Sequence, residues 1–198
     1  EFFPDWLAKK TARAEIKAAT LFQYESIINY YIIPHLGGFK LKELTPEVLE
    51  DFLITLIQRG RKNGSGLSQA TVRTVSIVIS QALDQAVKHK KLITNPMSEV
   101  QKPKGKVKQV KTFTDFEIRS LLEAAKDHRL YAFFDLACKT GARRGELLAL
   151  RWSDFDPEAR SISITKNRGL VGKTIVEQNS TKSKNGNRKV KLSHSVVS

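Results

Sequence analysis

The chain has 198 residues, 40% of them hydrophobic, and a formal net charge of +14 at pH 7. That length suffices for two modest domains with separate cores, and so large a basic excess points to a polyanionic partner, nucleic acid first. No apolar run reaches the roughly 18 residues of a membrane-spanning helix, no leader pattern opens the chain, and the single cysteine, Cys138, excludes an internal disulfide.

The first predicted helix opens at Thr20 and carries Leu21, Tyr24, Ile27, Ile28, Tyr31 and Ile32 on one face, stopping at Pro34 and Gly37-Gly38. A second starts at Thr45-Pro46-Glu47, where threonine caps, proline suits the first turn and glutamate favours the positive end of the dipole. It runs through Phe52, Leu53, Leu56 and Ile57 to Gly60. Ser68 caps a third helix with Val72, Val75, Ile79, Ala82, Leu83 and Ala86 on one side, closed by Asn95-Pro96.

Lys102, Lys104, Lys106, Lys108 and Lys111 then follow in quick succession around Pro103 and Gly105, the composition of a linker. Net charge is +3 for residues 1–101, +5 for 102–111 and +6 for 112–198, so the linker is the densest basic stretch. Each lysine near a phosphate releases counterions and adds sequence-independent affinity, which makes these five candidate DNA contacts.

The second half opens with a capping box, Thr114 to Glu117, ahead of Ile118, Leu121, Leu122 and Ala125. The apolar run from Leu130 to Cys138 predicts another helix, with Cys138 as a core residue. After Pro157 the pattern changes to alternation, predicting short strands at Ile162 and Ile164, at Thr174 to Val176, and at Val190 and Leu192. The fold class expected is mainly α with a small antiparallel β-sheet, divided as domain 1–101, linker 102–111 and domain 112–198.

Between the last predicted helix and the strands lies Thr140-Gly141-Ala142-Arg143-Arg144-Gly145-Glu146-Leu147-Leu148-Ala149, an arginine pair at the mouth of an apolar helix. An arginine fixed there can grip a phosphate with two N–H donors at once. Read alone, Arg143 and Glu146 form an i,i+3 surface ion pair worth a few tenths of a kcal/mol.

This stretch, continuing as Leu150-Arg151-Trp152-Ser153-Asp154, resembles the signature helix of the tyrosine recombinases, the phage-integrase family. Residues 1–101 resemble that family's helical, SAM-like core-binding domain through Thr20-x-x-x-Tyr24, Ile33-Pro34-His35-Leu36-Gly37, Leu44-Thr45-Pro46, Leu67-Ser68-x-x-Thr71-Val72 and Asn95-Pro96. The resemblance implies that the two domains clamp duplex DNA at an attachment-type site. It also implies that Arg143 holds the scissile phosphate, Arg144 is its variable neighbour, and Glu146 steadies Arg143. Lys182, in the segment 179–192, lines up with the family's catalytic lysine, with Lys184 a close competitor. Lys184 and Arg188 are further candidate DNA contacts, the default for Arg188 being backbone contact or solvent exposure.

The family pattern continues with His-x-x-Arg and a nucleophilic tyrosine, and neither is present. His194 lacks an arginine three residues on, reading as a strand-end histidine, and Tyr24, Tyr30, Tyr31 and Tyr131 all precede Arg143 as core or helix-face residues. The expectation is the N-terminal portion of a site-specific recombinase that binds DNA but does not cleave it, with no metal or other cofactor. A tetramer is expected for the whole enzyme on DNA and a monomer for this piece, in the cytoplasm of a bacterial or phage-infected cell. The start at Glu1-Phe2-Phe3-Pro4 without methionine suggests a segment removed upstream. The rival reading is a non-catalytic DNA-binding module derived from an integrase.

Overall fold

The computed structural model describes residues 1–101, 111–178 and 187–193. The chain divides into two compact units, Glu1–Lys108 and Gln109–Ser198, the division falling inside the lysine-rich stretch. Among the described residues it is mainly helical, with small antiparallel sheets in the second unit alone.

The first unit contains α1 (Phe2–Ala12), α2 (Ala18–Ile27), α3 (Ile33–Leu36), α4 (Pro46–Arg59) and α5 (Gln69–Lys88). Thr45 caps α4 by accepting the Val48 N–H at 3.3 Å, and Ser68 caps α5 by accepting that of Thr71 at 3.2 Å, as the sequence predicts. Leu49, Phe52, Leu53 and Leu56 of α4 share one core with Val72, Val75, Ile79, Ala82 and Leu83 of α5. Burying each large apolar side chain stabilises the unit by roughly 1.5–3 kcal/mol.

Four features depart from expectation. Helix α1 was not foreseen, yet Phe3, Trp6 and Leu7 lie on one helical face, and Trp6 stacks on Tyr24 with ring centroids 6.0 Å apart. Helix α2 begins at Ala18, before Thr20, with no side-chain cap. Nor does Pro34 end the helical run. A π turn at Ile28–Ile32, whose last bond runs from the Ile33 N–H to the Ile28 carbonyl, leads into α3 with Pro34 in its first turn. Likewise α5 stops at Lys88, and Asn95 instead caps a 3-10 turn at Pro96–Ser98, its amide donating to the Asp84 carboxylate at 2.6 Å.

The second unit contains α6 (Asp115–Ala124), α7 (Tyr131–Thr140) and the single turn α8 (Arg144–Leu147). Among the described residues the strands are β1 (Phe155–Asp156), β2 (Ser161–Ile164), β3 (Asn167–Val171), β4 (Thr174–Gln178) and β5 (Arg188–Lys191). The predicted capping box forms: the Glu117 N–H reaches the Thr114 hydroxyl at 3.3 Å, and the Thr114 N–H reaches the Glu117 carboxylate at 2.7 Å. Strands run antiparallel in the order β1-β2-β5, with β3–β4 a separate hairpin. Strands β1 and β3 were not foreseen, the first having two residues and the second, Asn-Arg-Gly-Leu-Val, lacking clear alternation.

Among the described residues, the buried apolar side chains of this unit are Leu147, Ala149, Ile162 and Ile164. Cys138 is exposed, correcting its placement in a core. Helix α7 buries none of its residues, so its apolar composition did not decide which face is covered. Part of it borders an open groove of about 620 Å³, with Leu136, Leu150, Trp152 and Ile162 among the lining residues. Tyr24 and Tyr31 pack against the first unit's core, whereas Tyr30 is exposed and Tyr131 lines the groove.

Candidate active site

Helix α7 ends at Gly141, whose left-handed φ of 60° suits a residue without Cβ. The Thr140 hydroxyl donates to the Leu136 carbonyl at 2.6 Å and accepts the Ala142 N–H at 3.2 Å, fixing the turn. The chain therefore enters α8 with Arg143 extended at its N-cap, and the apolar helix anticipated after the arginine pair is only one turn long. Arg143 exposes 70% of its side chain.

Glu146, one turn on, is 2% exposed. It is not half of a surface pair: its carboxylate accepts the Arg143 N–H at 2.9 Å, the Arg143 guanidinium at 3.0 Å, and the Arg188 guanidinium at 2.9 and 3.4 Å. Burial works to raise its pKa, but the bonds from Arg188 and Arg143 outweigh it and draw the carboxyl from 4.5 to about 2. Glu146 thus stays ionised at any physiological pH.

A second carboxylate organises the neighbouring hairpin. Glu177 on β4 accepts the Arg168 guanidinium at 2.6 and 3.1 Å and that of Arg151 at 2.8 Å. Arg168's hydrogen bond is the main reason its carboxyl lies below the ordinary range. Gly145 brings α8 against β3 so closely that a Cβ there would lie 1.9 Å from the Asn167 side-chain oxygen and 2.8 Å from the Arg168 carbonyl.

Of the residues singled out from sequence, Arg143, Glu146 and Arg188 meet in one cluster. Arg188 keeps 31% of its side chain exposed and is engaged with Glu146. Arg144 and Lys111 are exposed. Lys102, Lys104, Lys106, Lys108, Lys182, Lys184 and His194 lie outside the described residues. Sequence reading missed the Arg188–Glu146 and Glu177 networks. The available signal was that Arg188 falls in the same alternation as Val190. Among the described residues no group of His, Cys, Asp and Glu could hold a metal, and no helix is long and apolar enough to cross a membrane.

Comparison with known proteins matches residues 1–57 to the phage integrase N-terminal SAM-like domain and residues 111–197 to the phage integrase family. A tyrosine recombinase XerC-like protein of Caldanaerobacter subterraneus is 31% identical over 94% of this chain and 46% of its own length. The ICEBs1 integrase of Bacillus subtilis is 26% identical over 98% of this chain and 52% of its own. The chain therefore spans about half the length of these curated relatives. Among solved structures, the Tn1549 transposon integrase in complex with a circular intermediate DNA aligns with TM-score 0.80 at 18% identity, over 99% of this chain and 62% of that one. A lambda integrase tetramer bound to a Holliday junction aligns with TM-score 0.69 at 22% identity, over 99% of this chain and 52% of that one.

Proposed function

The chain belongs to the phage integrase family of tyrosine recombinases, and on that premise we propose that it is the DNA-clamping and phosphate-gripping part of a site-specific DNA recombinase. One observation carries this reading: the Arg143 guanidinium is tethered on one side to a buried carboxylate that its bonds hold ionised at physiological pH, while most of its surface faces outward. A guanidinium oriented in advance loses little freedom when it grips a phosphate, and its fork matches two phosphate oxygens.

In the reaction proposed for the whole enzyme, a tyrosine hydroxyl gives up its proton to a general base and attacks the scissile phosphorus. A phosphorus–oxygen bond forms to the tyrosine, the bond to the 5′ oxygen breaks, and that oxygen leaves as a hydroxyl with a proton from Lys182. Arg143 neutralises charge on the non-bridging oxygens as the transition state forms. The phosphodiester energy is kept in the 3′-phosphotyrosyl link, so rejoining needs no nucleotide cofactor. Glu146 holds Arg143 in register throughout.

Its partner on this reading is duplex DNA bearing an attachment-type site. The Tn1549 and lambda integrase complexes support that choice, and the lambda tetramer supports a four-subunit assembly for the whole enzyme. Lys102, Lys104, Lys106, Lys108, Lys111 and Lys184 add backbone affinity. The setting is the cytoplasm of a bacterial or phage-infected cell. By itself this 198-residue stretch binds DNA without cutting it, since all four of its tyrosines precede Arg143.

The test begins with selection of bound duplexes from a random library. Enrichment of a defined half-site is expected, whereas binding that only decays with salt contradicts a site-specific clamp. In a full-length integrase carrying this sequence, Arg143→Ala is expected to abolish covalent adduct on that half-site with binding retained. Unchanged adduct formation points instead to a binding module whose arginine is idle.

A further inference from the structure

We infer that Arg188 is a positioning residue for the recombinase site, an internal strut between β5 and the arginine turn rather than a DNA contact. The inference rests on the recombinase reading above and assigns Arg188 a task within it.

Strand register supplies the first argument. Strand β5 pairs antiparallel with β2, Ile162 opposite Val190 and Ile164 opposite Arg188. Directly opposed residues project from the same face of a sheet, and here that face carries the buried Ile162 and Ile164. Lys189 and Lys191 alternate onto the other side and are exposed. Arg188 therefore occupies a position where the alternation calls for an apolar side chain, and the buried Glu146 carboxylate explains the exception.

Hydrogen-bond capacity supplies the second. Each Glu146 oxygen accepts one donor from Arg143 and one from Arg188, which fills the four lone-pair sites of a carboxylate. With all four filled, the carboxylate cannot rotate without breaking bonds to both arginines. Without Arg188, one backbone bond and one side-chain bond from Arg143 remain, a single lone-pair site on each oxygen is left empty, and the exposed guanidinium has a less firmly held reference. Were Arg188 to turn toward a DNA phosphate, Glu146 would lose half its donors while buried, an arrangement far costlier than leaving the pair intact.

Position along the chain supplies the third. Arg188 opens β5, six residues after Lys182. One side chain thereby joins the carboxylate behind Arg143 to the strand that follows the candidate lysine.

The experiment uses a full-length integrase carrying this sequence and a duplex bearing the selected half-site, with Arg188→Gln, Arg188→Lys and Glu146→Gln variants. The Glu146→Gln/Arg188→Met double variant, which leaves no buried charge, stands in should Arg188→Gln fail to fold. A strut predicts that the dependence of log affinity on log salt stays as in the parent. It further predicts that single-turnover cleavage falls about tenfold or more, that lysine does not rescue it, and that combining Glu146→Gln with Arg188→Gln costs less than the product of the singles. A direct phosphate contact predicts a salt slope shallower by about 1 and rescue by lysine, and that result overturns the proposal. Should the parent select no half-site, or Arg143→Ala cleave normally, the recombinase reading fails and the strut with it. A shallower slope in the Arg188 variants with those controls intact refutes the strut alone.

Discussion

The two units are held together by different physics. Among the described residues of Glu1–Lys108, twenty buried apolar side chains form a single cluster to which each of α1 to α5 contributes. In Gln109–Ser198, four apolar side chains are buried among the described residues, and two carboxylates, each gripped by two arginines, tie separate elements together. Apolar packing is non-directional and tolerates small shifts, whereas a charge buried with four hydrogen bonds fixes orientation as well as distance. A binding scaffold can be built in the first way. A site that must hold an arginine at a set angle is served by the second.

The contrast breaks most severely in the first unit's core. Leu56→Ala should cost about 2–5 kcal/mol in urea denaturation followed by the fluorescence of buried Trp6, with Trp152 replaced by Phe to isolate the signal. A loss under about 1 kcal/mol would mean that the cluster does not behave as one core.

In the second unit, Glu146→Ala leaves Arg188 without its carboxylate and should cost about 3 kcal/mol, seen as faster amide exchange in β2 and β5 with Trp6 unmoved. The pH dependence has a definite sign. Because folding lowers the Glu146 pKa from 4.5 to about 2, its contribution is fully present above about pH 4.5 and is lost as the pH falls toward 2. The full swing is at most about 3 kcal/mol, and Glu146→Gln should remove it from a stability-versus-pH curve.

Gly145→Ala sharpens the comparison, because its Cβ would press on the Arg168 carbonyl, a backbone atom that must shift. A cost of about 1–3 kcal/mol is expected by thermal denaturation, together with altered backbone chemical shifts in β3. Smallest is Arg151→Ala, which removes an exposed partner of Glu177 that Arg168 also holds; below about 1 kcal/mol is expected, shrinking further in high salt.

Legibility followed the same division. Thr45, Ser68 and the Thr114–Glu117 box were readable because a cap acts within three residues, and the faces of α4 and α5 because burial repeats with the helical period. Helix α1 carries the same kind of pattern in Phe3, Trp6 and Leu7, but no side-chain cap at Glu1 marks its start. Pro34 misled because the π turn before it relieves the usual conflict, and no local residue announces such a turn. Cys138 misled because an apolar run says that a helix has greasy residues, not which neighbour covers them.

By itself, the sequence determined a basic, mainly helical chain with short antiparallel strands, the family through its Thr140–Ala149 motif, and Arg143 with Glu146 as the residues to watch. Periodicity, capping and motif spacing are local, and a linear text carries local information directly. Only the tertiary structure decided that Glu146 is buried, that Arg188 arrives from 42 positions away to share it, and that β3 lies against Gly145. Those depend on strand register and chain reversal, which bring distant residues to bonding distance, and charge obeys distance in space rather than separation along the chain.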